Sequence, residues 1–258
     1  MQRQLQIIPI PAFKDNYIWL MHNGIDAVAV DPGDAEPLQR TLRALNLNLV
    51  AILITHHHQD HIGGVEALIK QFPQINVFAP KLEHYDFKHT PVSEPDRFAC
   101  ADWLPEIDVL DLPGHTLGHV GFYMAQPGQK WLFCGDTLFG AGCGRLFEGT
   151  PLQMLTSLQK LAALPEETLV YCTHEYTLHN INFALSIEPN NHVLIQRRQD
   201  TQDLRNTESP SLPSTIALEL ASNPFLRCNS KQIQSTLHLE NQPLLEVFTK
   251  IRSLRNHY

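Results

Sequence analysis

Thr55-His56-His57-His58-Gln59-Asp60-His61 sets three imidazoles and a carboxylate at His-x-His-x-Asp-His spacing. Imidazole with carboxylate suits zinc, iron or manganese, and the chain has no Cys-x-x-Cys pair of the kind that closes a structural zinc site. The spacing points to more than one ion. His56 and His58 are alternate residues, so in extended backbone they share a side. Asp60 and His61 are adjacent and diverge, which suits a second ion nearby. Two open-sided metals need about three further groups, one of them a bridge.

Three such groups stand downstream, each after an apolar run. His115 lies in Pro113-Gly114-His115-Thr116 beyond the strand signal at 109–112. Asp136 ends Trp131-Leu132-Phe133-Cys134-Gly135-Asp136, and His174 ends Leu169-Val170-Tyr171-Cys172-Thr173-His174. Taken singly these are a turn histidine, a capping aspartate and a buried histidine. Their recurrence at strand ends after a strong metal motif makes them ligand candidates.

The elements that must carry these residues follow from hydrophobic period. Leu49–Ile54 reads as a buried strand. Gly63-Gly64 then turns into a helix, so the histidine cluster occupies a loop at the carboxyl end of a strand, where open α/β sheets place their sites. Before His174, short β segments alternate with helical stretches at 35–45, 64–72 and 151–161. Beyond it, strand signals nearly vanish. Helical patterns cover 177–187, 193–202, 215–222 and 244–254, and the polar stretch 203–213 reads as a connecting loop. Asp34 is the expected N-cap of the helix at 35–45. Composition and pattern alone give a mixed α/β chain.

The ordered motifs resemble the metallo-β-lactamase superfamily. These are Thr-His-x-His-x-Asp-His, Pro113-Gly114-His115-Thr116-x-Gly118-His119, Cys134-Gly135-Asp136-Thr137-Leu138-Phe139 and His174-Glu175-Tyr176-Thr177. Within that superfamily they resemble glyoxalase II. Gly142-Cys143-Gly144-Arg145-Leu146-Phe147-Glu148-Gly149, His174-Glu175-Tyr176-Thr177 and the tail Arg252-x-x-Arg255 carry the narrower likeness; Asp15-Asn16-Tyr17 and Asn223-Pro224-Phe225-Leu226-Arg227 also fit it, and the resemblance covers almost the whole chain.

The resemblance implies an αββα sandwich over 1–174 and a smaller all-helical domain over 175–258. It implies two divalent metals, zinc foremost and iron or manganese next. His56, His58 and His115 would hold one metal; Asp60, His61 and His174 would hold the other. Asp136 would bridge them together with a water or hydroxide; Asp136 and Asp60 would be the catalytic carboxylates, with the metal-bound hydroxide as nucleophile. It also implies cleavage of S-D-lactoylglutathione to glutathione and D-lactate, the second step of methylglyoxal detoxification. Arg145, Tyr176, Arg252 and Arg255 would bind the peptide. Without the resemblance, Arg252 and Arg255 read as a solvated helix end. Some family members carry Tyr at the position of Phe147 and Lys at those of Arg145 or Arg255, so Phe147 is expected only to wall the site. His57 is expected to face away from the ligands. His119 is expected to orient a ligand, and Asp31 either orients a metal-bound imidazole or serves the Asp-Pro-Gly turn.

Charge and composition narrow the alternatives. A formal charge of −8 disfavours nucleic acid. No run of about 18 apolar residues offers a membrane span, and Met1–Leu5 lacks the apolar core of a secretory signal. Five cysteines show no disulfide framework and fit a reducing cytoplasm. The chain is expected to act as a monomer. A lactonase or β-lactamase of the same fold gives the arginine tail no purpose. A persulfide dioxygenase uses one iron and would not need all of Asp60, His61 and Asp136.

Overall fold

The computed structural model describes residues 5–258; Met1–Gln4, part of the opening read as lacking a secretory signal, lie outside the described residues. The chain packs as two compact units. One runs through Asp111 and includes Gly118–Gly135; the other comprises Leu112–Leu117 and Asp136–Tyr258.

The first unit opens with β1 (Gln6–Ala12), β2 (Asn16–His22) and β3 (Asp26–Val30), paired antiparallel in sequence order. Helix α1 (Ala35–Leu45) then crosses to β4 (Asn48–Leu53), which pairs parallel to β3. Beyond β4 come a single turn, α2 (Gln59–Ile62), and α3 (Val65–Gln71). The strands β5 (Asn76–Pro80) and β6 (Thr90–Val92) extend the same sheet in parallel. β3 and β4 are nearly continuous apolar runs because the parallel part of the sheet is buried on both faces. One core cluster joins Leu20, Ala29 and Ile52 of the sheet, with Ile54 just past β4, to Leu38 and Leu42 of α1 and Val65 and Leu68 of α3. Asp34 caps α1 as expected, accepting from the Glu36 amide at 3.0 Å. The other strands of this unit form an antiparallel meander of β7 (Arg97–Phe98), β8 (Ile107–Asp111), β9 (Val120–Gln126) and β10 (Gln129–Gly135).

In the second unit the hairpin β11 (Leu138–Phe139) and β12 (Gly142–Cys143) precedes α4 (Pro151–Ala162). A capping box between Thr150 and Gln153, with Pro151 next to it, starts α4. β13 (Leu169–Cys172) then leads into α5 (Thr177–Ile187) and α6 (His192–Asn206). β14 (Ser214–Thr215), α7 (Ile216–Ser222), α8 (Lys231–Leu237) and α9 (Leu244–Asn256) complete the chain. α6 runs four residues beyond the expected 193–202. Its polar end stays helical through (i, i+4) bonds from Gln199 to Asp203 and from Gln202 to Asn206, each within 2.9 Å. α8 escaped the sequence reading because it buries a single residue, Ile233, and so carries no apolar period.

A buried network braces the hairpin. Glu219 is fully excluded from water and accepts from Arg197 at 2.6 Å and from the Ser214 hydroxyl. Its second oxygen accepts from the Ala141 amide at 2.9 Å and from Asn223 Nδ2 at 3.0 Å. The Asn223 amide also donates to the carbonyls of Phe139 (3.2 Å) and Gly142 (2.9 Å). The Asn-Pro-Phe-Leu-Arg motif is thereby explained. Asn223 pins the hairpin, Phe225 lies beneath the Arg252 guanidinium at 5.1 Å, and Arg227 pairs with Glu188 at 2.7 Å. Among the described residues no helix is long and apolar enough to cross a membrane.

Truncating Glu219 to Ala leaves Arg197 buried without its counter-charge. The expected loss in chemical denaturation is about 3–5 kcal/mol. Glu188 behaves differently. Burial pushes its carboxyl up, but hydrogen bonds from Arg227, Asn191 and Ser230 outweigh this and hold it below its ordinary value. Its contribution is therefore present above the unfolded pKa of 4.5 and lost as pH falls through the lower folded value. Glu188→Gln should lower the melting temperature at pH 7, and the gap from wild type should close towards pH 3.

Candidate metal centre and substrate cavity

In the first unit the ligand candidates are arranged from one carboxylate outward. Asp31, 2% exposed at the end of β3, holds a left-handed φ of 50°, which a short polar side chain tolerates. It accepts from the Thr55 amide (2.8 Å), the Thr55 hydroxyl (2.7 Å) and His61 Nδ1 (2.9 Å). Asp31 cannot donate, so His61 carries its proton on Nδ1 and presents a lone pair at Nε2, which lies 3.7 Å from Asp60 Oδ2. The Thr55 hydroxyl donates its one hydrogen to Asp31 and therefore accepts from His56 Nδ1 at 3.1 Å. That fixes His56 in the same tautomer, with Nε2 facing His58 Nδ1 at 3.1 Å. Of the two readings of Asp31, orienting an imidazole is the one its contacts serve.

His56 and His58 do lie on one side, as extended backbone requires. The expected loop ends at His58, which stands at the N-cap of α2, so Asp60 and His61 project from a helical turn. Asn16 Nδ2 donates to Asp60 Oδ2 at 3.0 Å and orients it, which gives the Asp-Asn-Tyr motif a role the sequence reading did not assign. His119 is 1% exposed and its ring stacks on that of His56 at 4.8 Å. His57 turns away to Glu83, 3.3 Å distant. Gly135, before Asp136, sits at φ 47°, and a Cβ there would collide with the Thr55 hydroxyl.

In the second unit His115, Asp136 and His174 come together, each no more than 6% exposed. His115 Nδ1 donates to the Arg145 carbonyl at 2.8 Å, so its Nε2 is again the lone-pair nitrogen. That Nε2 lies 3.4 Å from Asp136 Oδ2, and His174 Nε2 lies 3.4 Å from the same oxygen. Two donors bound at about 2.1 Å to one tetrahedral ion stand roughly 3.4 Å apart, a wider gap than the hydrogen-bond optimum. The donor chemistry and the spacing both fit divalent metal ions. Gly144 lets the Gly-Cys-Gly-Arg loop pass over Asp136, since a Cβ there would collide with the Asp136 carbonyl.

A cavity of about 420 Å³ opens in this unit beside His115 and Asp136. Arg145, Arg252, Arg255 and Tyr176 line it, all of them sequence-predicted substrate residues. Tyr176 stacks on the ring of His174 at 4.7 Å. Phe147 is 65% exposed and meets His115 edge-on, so it does form a wall. Arg252 is 4% exposed, and its Nη1 donates to the carbonyls of Cys143 (2.7 Å) and Gly144 (3.3 Å). It is therefore also a brace for that loop, which a helix-end reading of the sequence had no means to foresee. Burial lowers the Arg255 pKa, and the nearby charges of Arg252 and Arg145 add to this. His179 and Asn180 also line the cavity and escaped the sequence reading, although helical period from Tyr176 places both on its face of α5.

A family model described as "Metallo-beta-lactamase superfamily" matches residues 13–174, and one described as "Hydroxyacylglutathione hydrolase C-terminus" matches residues 175–258. A hydroxyacylglutathione hydrolase from Methylobacillus flagellatus is 54% identical, with 98% of this chain and 99% of the relative covered. The chain belongs to the hydroxyacylglutathione hydrolase family. A second hydroxyacylglutathione hydrolase, from Vibrio parahaemolyticus, is 49% identical, with 98% of this chain and 100% of that relative covered. Among solved structures, TTHA1623 in a di-iron-bound form aligns with a TM-score of 0.62 and 26% identity, covering 85% of this chain and 100% of that one. The expected architecture is therefore found: a metallo-β-lactamase fold followed by the C-terminal domain of the hydroxyacylglutathione hydrolases.

If Asp31 orients metal-bound imidazoles, Asp31→Ala should weaken metal affinity by about 10–100-fold, measured by competition with a chelator. Asp34→Ala, three residues along the chain, should leave metal affinity unchanged and cost about 0.5–2 kcal/mol of stability.

Proposed function

We propose that this chain hydrolyses S-D-lactoylglutathione and similar 2-hydroxyacyl thioesters of glutathione, releasing glutathione and the hydroxy acid. One observation carries the reading: a single cavity is lined by ligand-type His115 and Asp136 together with Arg145, Arg252 and Arg255. A hydrolytic centre and an anion-recognition site thus share one space, in a member of the hydroxyacylglutathione hydrolase family.

In this reading His56, His58 and His115 would hold one metal and Asp60, His61 and His174 the other, with Asp136 as the carboxylate they would share. Zinc suits the donors best; iron is the alternative that the di-iron form of TTHA1623 makes concrete. A bound metal pair supplies a water acidic enough to ionise near neutral pH and positive charge beside a developing oxyanion. The chain's own residues do the rest. Asp31 and Thr55 keep His56 and His61 in the metal-binding tautomer, and the Arg145 carbonyl does so for His115. Asn16 aims Asp60. The arginines take the glycine carboxylate of the glutathione moiety, and Tyr176 contacts the peptide. Water's oxygen joins the acyl carbon, the C–S bond breaks, and the electron pair leaves on sulfur. A thiol of pKa about 8.5 leaves as thiolate without a general acid.

The division of labour falls at residues 174 and 175, with metal ligands before and substrate contacts mostly after. All seven proposed ligands come from one chain, so we place the active form as a monomer. Five free cysteines, four of them buried, suit the reducing cytoplasm where glutathione is abundant.

Steady-state cleavage of S-D-lactoylglutathione tests the reading. Asp136→Ala should lose about 10²–10³-fold in kcat, a loss of the size seen when one electrostatic group is removed from an active site. Normal turnover in that variant would sink the bridging role. Arg255→Ala should raise KM about tenfold or more with little change in kcat. Arg252→Ala should raise KM and also lower the melting temperature, because Arg252 braces the Cys143–Gly144 loop.

A further inference from the structure

The arginines of the second unit, from buried Arg197 and Arg252 through half-buried Arg227 and Arg255 to exposed Arg145, include two kinds. Arg197 and Arg227 meet carboxylates, Glu219 at 2.6 Å and Glu188 at 2.7 Å. The cavity arginines do not. Among the described residues no carboxylate pairs with Arg145, Arg252 or Arg255. Arg252 rests on two backbone carbonyls and the ring of Phe225. Arg255 places both Nε (3.2 Å) and Nη2 (3.0 Å) on a single neutral oxygen, Asn180 Oδ1.

Asn180 is itself fixed. It is 3% exposed on α5, one turn beyond Tyr176, and its Nδ2 donates to the Gly140 carbonyl at 3.0 Å. A carbonyl only accepts, so the amide nitrogen must point there and the amide oxygen must point at Arg255. Gly142 leaves the room this needs, since a Cβ there would collide with the Asn180 amide. An aspartate would fill the same volume and grip the same two donors, but it would cancel the charge.

We propose that Asn180 is a positioning residue that braces Arg255 through a neutral acceptor. It fixes the guanidinium's orientation while leaving its positive charge to a terminal carboxylate of the ligand. The inference rests on reading this cavity as the glutathione site. The charge is kept at a cost visible in the lowered Arg255 pKa, with burial first and the neighbouring arginines after it. A bound carboxylate relieves that cost.

The test uses the metal-loaded protein and S-hexylglutathione, which carries no thioester, beside the same compound esterified at its glycine carboxylate. Calorimetry gives both affinities for wild type, Asn180→Asp and Asn180→Ala. Asn180→Asp should weaken S-hexylglutathione about tenfold or more and leave the ester within about twofold of wild type. Asn180→Ala, which loses the brace but keeps the charge, should fall between. In turnover, the aspartate variant should raise KM with kcat unchanged. Unchanged affinity in Asn180→Asp, or an equal loss for the ester, overturns the proposal. If Asn180→Asp does not fold, Asn180→Ala decides: a loss confined to the free carboxylate supports the proposal, and any other result overturns it. Wild type that binds S-hexylglutathione without cleaving S-D-lactoylglutathione refutes the proposed reaction and leaves the role of Asn180 standing. Wild type that does not bind it refutes both.

Discussion

A neutral imidazole whose Nδ1–H is committed to a hydrogen bond offers only a lone pair at Nε2, and this chain points such lone pairs at carboxylate oxygens. His61 does so towards Asp60 because Asp31 holds its Nδ1. His115 does so towards Asp136 because the Arg145 carbonyl holds its Nδ1. Lone pair against carboxylate is repulsive until a cation stands between them. The same device, built from different elements in each compact unit, fits a divalent cation between nitrogen and carboxylate oxygen. The buried Asp31–Thr55–His56 relay and the close passage of Gly144 over Asp136 both serve it.

The second constraint is charge kept without a counter-charge. The unit containing the cavity satisfies Arg197 and Arg227 with glutamates and leaves Arg252 and Arg255 on neutral oxygens. Uncompensated guanidinium in a half-buried cavity is costly, and the surrounding structure holds it there. Glu219 and Asn223 pin the β11–β12 hairpin, whose end supplies the carbonyl under Arg252. The paired charges brace the unit, and the unpaired ones leave positive charge facing the cavity.

What the sequence disclosed followed the range of the interactions. The strand at Leu49–Ile54, the helices at 35–45 and 177–187 and the ligand candidates at strand ends are set by local period and spacing, and all were legible. The end of α6 was missed because polar (i, i+4) bonds, not burial, extend it. Asp31 stayed ambiguous because its partners lie 24 and 30 residues away. Arg252 looked like a solvated helix end because its acceptors are backbone carbonyls more than 100 residues upstream. Asn180 was within reach, one helical turn from Tyr176, but nothing short-ranged marks an amide as the brace of an arginine.

The most direct test of the account is calorimetric titration of metal-free protein with Zn²⁺, with the melting temperature followed at each step. Tautomers already fixed for coordination predict saturation at two ions per chain and a large rise in melting temperature. Saturation at fewer than two, or binding that leaves the melting temperature unchanged, would contradict it.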